Sequence, residues 1–512
     1  MDKNKKKQIS LGMIASYLTI ITQCLTGILY TPIILSSLGQ SQYGIYSLCL
    51  SFSGYLTIFN AGMNAAFVRF YVQTKTKDIS RVPSLNGIFA RVFLVLSALS
   101  LFVGLIISWK VRLFFGSKIS GSEYELLRNL FIVLAFTTCI TVINCIFSSL
   151  IIANEHFIFG KFVNLFQIIL APIITIPLLL NGFGAMSVFL IKLILLIGIV
   201  IVNAWFCFTN LKVKFEFASI DLHLLRSILI FAGAIAIQSI SDQLNWQIDK
   251  FVLAWTNGTS EISIYSVGST LNTYYLMISG AVSGVFIAEV NRLVALELDK
   301  KVSELFVKTS RIFALLILLI ITGYIVLGKQ FILKWAGVEY GNSYYIGLLI
   351  MLPVSPVLIM GLGQDITRAK NRHLMLIIIN TTVSLLNLLI SIPLAMRYGA
   401  IGSALGTFIA EIVITVVIIS IYWRKVVKLD VAGVYLELLK MSRGLIIPLV
   451  FGYAIQKFKM IQISWKSIIL WGVSYIVIYA FSMWLFAMNQ YEKKLFRNAV
   501  EKVIEHLKKR ET

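Results

Sequence analysis

The chain has 512 residues, 58% of them apolar and 13% charged, with a mean hydropathy of +0.87 and a formal net charge of +22. A water-soluble globule needs more polar surface than this, so the composition excludes a soluble domain and describes a membrane protein. No segment reads G-x-x-x-x-G-K-[ST], which argues against ATP hydrolysis, and basic loops facing anionic lipid headgroups account for the positive charge without a nucleic-acid partner.

The basic segment 1–8 precedes the apolar run LGMIASYLTIITQCLTGILYTPIIL at residues 11–35. That run is longer than a signal-peptide core and has no small-residue cleavage pattern, so it is expected to be a retained first span. A helix crossing a hydrocarbon core needs about 20 residues. Further stretches of this kind lie near 43–66, 88–109, 128–152, 160–180, 185–208, 227–254, 262–287, 310–332, 343–363, 374–396, 401–422, 443–458 and 467–488, giving an all-α polytopic protein of about fourteen transmembrane helices. With the N-terminus inside, cytoplasmic segments hold thirty-three Lys and Arg residues and the opposite loops ten, which predicts that both termini are cytoplasmic. The cysteines Cys24, Cys49, Cys139, Cys145 and Cys207 lie in or beside apolar segments without metal-ligand spacing and read as packing residues.

Polar residues recur inside several spans. The first carries Thr19, Thr22, Gln23, Thr26 and Tyr30 on one face, and the second Thr57, Asn60 and Asn64. The seventh is the most polar, with the ladder Gln238, Asp242, Asn245 and Asp249 beside Ser239, Gln243, Trp246 and Lys250. An ionised carboxylate facing lipid tails costs several kcal/mol, so these faces are expected to line a wet cavity; the alternative is hydrogen-bonded packing between helices.

Lys192, inside the sixth span, fits either a cavity or a side chain snorkelling to the headgroups. Glu411, nearer the middle of the twelfth, fits either a structural role or a proton carrier in coupling, with Asp242 as the other coupling candidate. Arg69 closes the second span and Arg91 opens the third; a guanidinium suits phosphate oxygens, and both also satisfy the positive-inside pattern. Arg397, beside Tyr398-Gly399-Ala400, fits a turn at the opposite interface.

The chain also repeats itself. Ile45-Tyr46-Ser47 returns as Ile264-Tyr265-Ser266, an offset of 219, with Gly39 and Gly258 before them. IIANEHFIFGKFVN (151–164) has a counterpart in ITRAKNRHLMLIIIN (366–380), where Ala153 matches Ala369 and Asn164 matches Asn380 at an offset of 216, as Pro177 matches Pro393. The ordered set predicts two six-helix lobes, 9–210 and 224–423, joined by a cytoplasmic linker at 211–223. A second linker at 424–442, two more helices at 443–488 and a basic cytoplasmic tail at 489–512 follow. An even number of spans per lobe gives both the same orientation, related by a pseudo-two-fold along the membrane normal.

The segments LGQSQYGIYSLCLSFSGYLTIFNAGMNAAFVRFY (38–71) and DKFVLAWTNGTSEISIYSVGSTL (249–271), with the NGFGA and RYGA turns, resemble the polysaccharide-biosynthesis flippases of the superfamily that also holds multidrug extruders and the lipid II flippase. The resemblance runs over about residues 9–490. It implies a bacterial inner-membrane protein, not an enzyme, that moves an undecaprenyl-pyrophosphate-linked oligosaccharide from the inner to the outer leaflet by alternating access. The product would feed O-antigen, capsule or exopolysaccharide assembly, with a polymerase and glycosyltransferases as partners. No cofactor is implied, and H⁺, Na⁺ or the membrane potential is the implied source of coupling.

Carried onto this sequence, the resemblance points to the stretch from Gly62 to Arg69 and to the Asp249-Lys250 pair. Together with the polar stripes, the candidate cavity residues are Arg69, Arg91, Lys192, Lys250, Asp249, Asp242, Asn245, Gln238, Asn60, Asn64, Gln23 and Arg397, with Trp246, Tyr274 and Tyr275 as candidate sugar-stacking faces. Two other readings stay open: a cation-coupled multidrug antiporter using Asp242, Asp249 and Glu411, and a non-transporting membrane scaffold for a glycan synthesis complex.

Overall fold

The computed structural model describes residues 3–115, 118–217, 221–283, 286–498 and 501. The chain is all-α, and among the described residues eleven helices are long and apolar enough to cross a membrane. The chain is a multi-pass membrane protein.

The count differs from the fourteen expected because two of the eleven stretches each hold two helices joined at a kink that the sequence marks as a turn. The first stretch covers Leu18–Leu56 and is two helices that meet at Gly39, which takes a non-helical conformation (φ 68°, ψ 176°). A later one covers His373–Val427, with Gly399 (φ 59°, ψ −138°) breaking it. Two further helices, Ile58–Lys77 and Thr259–Ser283, are long but outside the eleven, diluted by Asn, Gln, Thr and basic residues in the first and by Ser, Thr, Tyr, Asn272 and Glu261 in the second.

Boundaries shift where capping chemistry reaches further than hydropathy. The helix expected from 128 begins at Gly121, since Ser120 and Glu123 form a reciprocal capping box. The one expected from 227 begins at Leu222, where the Asp221 carboxylate accepts from the backbone N–H groups of His223 and Leu224 at 3.0 Å. The second span breaks at Thr57 and then continues to Lys77, so Arg69 lies inside a helix and not at its end.

By density of contacts the chain divides into two compact units, residues 1–266 with 380–406, and residues 267–379 with 407–512. In the first, Phe67, Phe89 and Phe93 are fully buried in a core that also takes Met63, Leu150 and Ile228, and Phe67 meets Phe89 edge-on at 4.8 Å. Helices that share lipid tails as solvent gain nothing from hiding apolar surface, so close packing and hydrogen bonds hold them together. Glycines make that approach possible. A Cβ on Gly62 would lie 2.3 Å from the Ala232 carbonyl oxygen, and one on Gly44 would lie 2.0 Å from that of Thr259.

In the second unit, a single arginine ties three segments. Arg311, buried on the helix Asp299–Trp335, holds Glu492 with Nε–Oε1 at 2.6 Å and Nη2–Oε2 at 3.0 Å. The same guanidinium reaches the Ala487 carbonyl at 2.9 Å and pairs with Glu437.

Candidate functional site

The helix Leu222–Thr256 carries the densest polar ladder, and its members meet different surroundings in the first unit. Asp249 is 1% exposed and accepts two hydroxyl hydrogen bonds, from Tyr265 at 2.8 Å and from Ser403 at 2.6 Å. Ser241 is buried, its hydroxyl 2.6 Å from that of Thr381, and Ser384 donates to the Ser241 carbonyl. Asp242 is exposed and accepts from Gln238 Nε2 at 3.0 Å, one turn earlier. Asn245 and Lys250 are half-buried. The ladder thus has a sealed part, where hydroxyls satisfy a carboxylate, and an open part at Asp242.

The neighbouring stripes divide in the same manner. Gln23 is exposed, whereas Thr19 is buried and Tyr30 shares a 2.5 Å hydrogen bond with Thr175. Asn64 accepts from Ser149 at 2.7 Å. Asn60 is buried, and its Nδ2 has no hydrogen-bond partner among the described residues. An unsatisfied buried amide costs about 1–3 kcal/mol, so Asn60 carries an unused donor into the helix interface. Tyr55 donates to the Gln243 carbonyl at 3.1 Å, beside a cluster in which Phe251 meets Phe52 at 5.6 Å and Tyr55 at 5.4 Å.

The two arginines near the chain's basic loops are held by aromatic faces. Arg69 is exposed, its guanidinium 4.5 Å from the Phe231 ring centroid. Arg91 is half-buried, donates to the Phe217 carbonyl and lies 5.5 Å from the Phe217 ring. The segment 211–217 is strapped to the same helix: Asn86 Nδ2 donates to the Lys214 carbonyl at 3.0 Å, and Glu216 N donates to the Pro83 carbonyl at 3.0 Å. Nearby, the Ser80 hydroxyl and N–H bond the Asp78 carboxylate and hold its pKa below the ordinary value.

Lys192 and Arg397 are exposed, each on its own helix, and neither joins the ladder. Glu411 is 3% exposed at the start of a π-helical stretch, Glu411–Ile418, in the second unit. Tyr275, also in that unit, is buried and its hydroxyl is 2.8 Å from that of Ser355, so its ring is packed away from any open surface. Tyr274 and Trp246 are half-buried.

Two carboxylates escaped the sequence reading. Glu123 accepts from Ser41 at 2.5 Å, Thr259 at 2.6 Å and Ser120 N at 2.7 Å, fastening three segments beside Gly39 and Gly258. Glu261 accepts from Ala400 N at 2.6 Å, directly after Gly399. The S-x-x-E spacing of Ser120 and Glu123 was the signal for the first; its remote partners leave no trace in the local sequence.

The turn residues fall into pairs. Gly39 and Gly258 both have left-handed φ (68° and 94°), as do Gly184 and Gly399 (65° and 59°). So do two non-glycine pairs, each 216 residues apart: Glu155 and Asn371 (64° and 56°), and Lys212 and Lys428 (49° and 62°). The repeated serines meet directly, with Ser47 Oγ donating to Ser266 Oγ at 2.6 Å in a buried contact. Among the described residues no group of three or more His, Cys, Asp or Glu is placed to hold a metal ion.

Comparison with known proteins adds the family. The model of the family described as polysaccharide biosynthesis protein matches residues 37–344. No curated protein matches the chain. Among solved structures, the lipid II flippase MurJ in an inward closed conformation superposes with a TM-score of 0.70 at 18% identity, covering 96% of this chain and 99% of its own. An inward-facing multidrug resistance MATE transporter gives 0.63 at 13% identity, covering 79% and 96%. A MOP superfamily transporter from Pyrococcus furiosus gives 0.56 at 14% identity, covering 81% and 94%. At these identities the structures speak for a shared fold alone, and the family match over residues 37–344 speaks for membership: the chain belongs to the polysaccharide biosynthesis protein family.

Proposed function

We propose that the chain is an alternating-access flippase of the bacterial inner membrane, carrying undecaprenyl-pyrophosphate-linked oligosaccharide repeat units from the inner to the outer leaflet. Membership of the polysaccharide biosynthesis family is the observation that carries this reading, and the likeness in fold to a lipid II flippase supports it. No covalent bond changes; the task is to pass a charged sugar headgroup across a region where unshielded charge is costly.

The architecture in this reading has fourteen spans, counted by dividing the two long helices at Gly39 and Gly399 and admitting Thr259–Ser283, with both termini cytoplasmic. Two lobes, 9–210 and 224–423, face each other about an axis along the membrane normal. The paired left-handed residues support a duplicated backbone, and the Ser47–Ser266 contact supports an axis, since equivalent atoms meet only there. Rocking of the lobes would alternate access, while the prenyl tail stays in lipid.

Within the cavity, Arg69 and Lys250 are assigned to the pyrophosphate, with Arg91, Lys192 and Arg397 as further cationic candidates. Gln238, Asp242, Asn245, Asn60, Asn64 and Gln23 are assigned to the sugar hydroxyls. Asp242, exposed and already accepting one hydrogen bond, and Glu411, buried, are the candidates for H⁺ or Na⁺ coupling.

The test is leaflet translocation of a fluorescent lipid-linked oligosaccharide in vesicles containing the purified chain. The full chain is expected to translocate it, and Lys250→Ala and Arg69→Ala each to slow the rate by about tenfold, the loss of one charge-assisted contact. Absence of translocation across several glycans and imposed gradients would sink the flippase reading. Translocation unaffected by either substitution would remove only the residue assignment.

A further inference from the structure

A helical hairpin in the second unit carries a groove lined by none of the candidate cavity residues. Its first arm, Ile419–Tyr422, runs into the π-turn Trp423–Val427, and Lys428 reverses the chain in left-handed conformation (φ 62°). Its second arm, Val431–Met441, starts where Asp430 accepts from Gly433 N at 2.8 Å. A π-turn displaces backbone carbonyls from their usual donors, and here basic side chains take them: Arg372 donates to the Val426 carbonyl, and Lys370 to that of Val427 at 3.0 Å while also pairing with Asp299. Trp423 is fully buried behind the turn. The hairpin is therefore braced from one side and its shape is preformed.

The other side is a groove of about 490 Å³ between the arms, within the usual range of small-molecule sites. Ile421, Leu436 and Leu439 line it and remain exposed, Ser420 and Tyr435 share a 3.1 Å hydroxyl contact within it, and Arg424 completes it. Arg424 is exposed and has no hydrogen-bond or ion-pair partner among the described residues. Lys425 and Lys428 follow it and are exposed as well. The acidic residues of the second arm are engaged elsewhere, Asp430 on Gly433 N and Glu437 with Arg311 and Lys440. Glu437 is paired with cations and Asp430 keeps its charge while capping the second arm, so Arg424, Lys425 and Lys428 outnumber one carboxylate at this end of the groove, and the rest is apolar.

Both arms fall in stretches long and apolar enough to cross a membrane, which for Val431–Met441 places apolar helix where the sequence suggested a linker, and the occupant that matches this groove carries an apolar chain and a negative charge at one end. We propose that this groove binds an anionic glycerophospholipid, its phosphate on Arg424 with Lys425 and Lys428 adding field, and one acyl chain lying along Ile421, Leu436 and Leu439. Basic recesses between membrane helices recognise phospholipid headgroups in this manner, and a guanidinium matches phosphate oxygens with two parallel donors. The site rests on neither the flippase reading nor the polar ladders, since none of its residues belongs to them.

The experiment is native mass spectrometry of the full chain in mild detergent, titrated with phosphatidylglycerol or phosphatidylcholine of identical acyl chains. One phosphatidylglycerol is expected to be retained with at least about fivefold preference over phosphatidylcholine. Arg424→Ala should erase the preference, Arg424→Lys should keep part of it, and Leu436→Trp, which fills the groove, should reduce retention of both lipids. Lys466→Ala, an exposed cation on another helix, should leave binding unchanged. Equal retention of the two lipids, or Arg424→Ala binding as the parent does while eluting as the same monodisperse species, overturns the proposal. So does displacement of phosphatidylglycerol by equimolar undecaprenyl phosphate, which would make the groove a resting place for a prenyl tail.

Discussion

Asp249 shows how a carboxylate can live inside a membrane bundle. Its two hydroxyl donors come from residues 16 and 154 positions away, so the ladder on its own helix identifies the charge but not its partners. Hydrogen bonds to a charged acceptor contribute about 1.5–3 kcal/mol each, and Asp249→Ala would remove the carboxylate that the Tyr265 and Ser403 hydroxyls bond. Thermal unfolding of the purified chain in detergent is expected to show the largest loss for Asp249→Ala, and a smaller one for Asp249→Asn, which keeps an oxygen in place. An unchanged Tm for Asp249→Ala would end the view of this residue as an anchor. Arg311 teaches the same lesson: Glu437 and Glu492 lie 126 and 181 residues along the chain, and a pairing over such distances has no local pattern. Gln23, Lys192 and Arg397 were equally legible as polar residues in apolar runs, and the structure leaves all three exposed.

At the scale of elements, hydropathy located nearly every long helix, because twenty apolar residues in a row have few alternatives. What it misplaced were ends and breaks, which depend on caps and glycines. The strap at residues 211–217 is the clearest case, since a basic, irregular stretch between spans reads as a free linker. Its backbone passes so close that a Cβ on Gly87 would sit 1.9 Å from the Glu216 carbonyl oxygen. That atom belongs to backbone and cannot rotate aside, so Gly87→Ala is expected to push the strap off its helix. The cost should reach the upper part of the roughly 1–3 kcal/mol typical of overpacking. Limited proteolysis reads the outcome: the variant should be cut within 211–217 faster than the parent, and equal cleavage rates would show that the strap bends without penalty.

For the whole molecule, the charge asymmetry of the loops predicts a topology. With fourteen spans and the N-terminus inside, thirty-three basic residues would lie on one side against ten on the other, and both ends are then expected at the basic face. Single cysteines at Asn4 and Asn489, in a chain whose native cysteines have been replaced, are expected to resist a membrane-impermeant maleimide in intact cells and to react once the membrane is opened. Labelling of either in intact cells would invert the arrangement or make the span count odd.

The contact between Ser47 and Ser266 has a consequence for what the repeated tripeptide does. Only one hydroxyl hydrogen can lie between two oxygens, so one serine of such a pair donates and the other accepts. Here Ser47 donates to Ser266, and Ser266 donates in turn to the Ile262 carbonyl at 2.6 Å. Two serines that stand in the same tripeptide therefore play unlike parts: the bond has a direction, and replacing one is not equivalent to replacing the other.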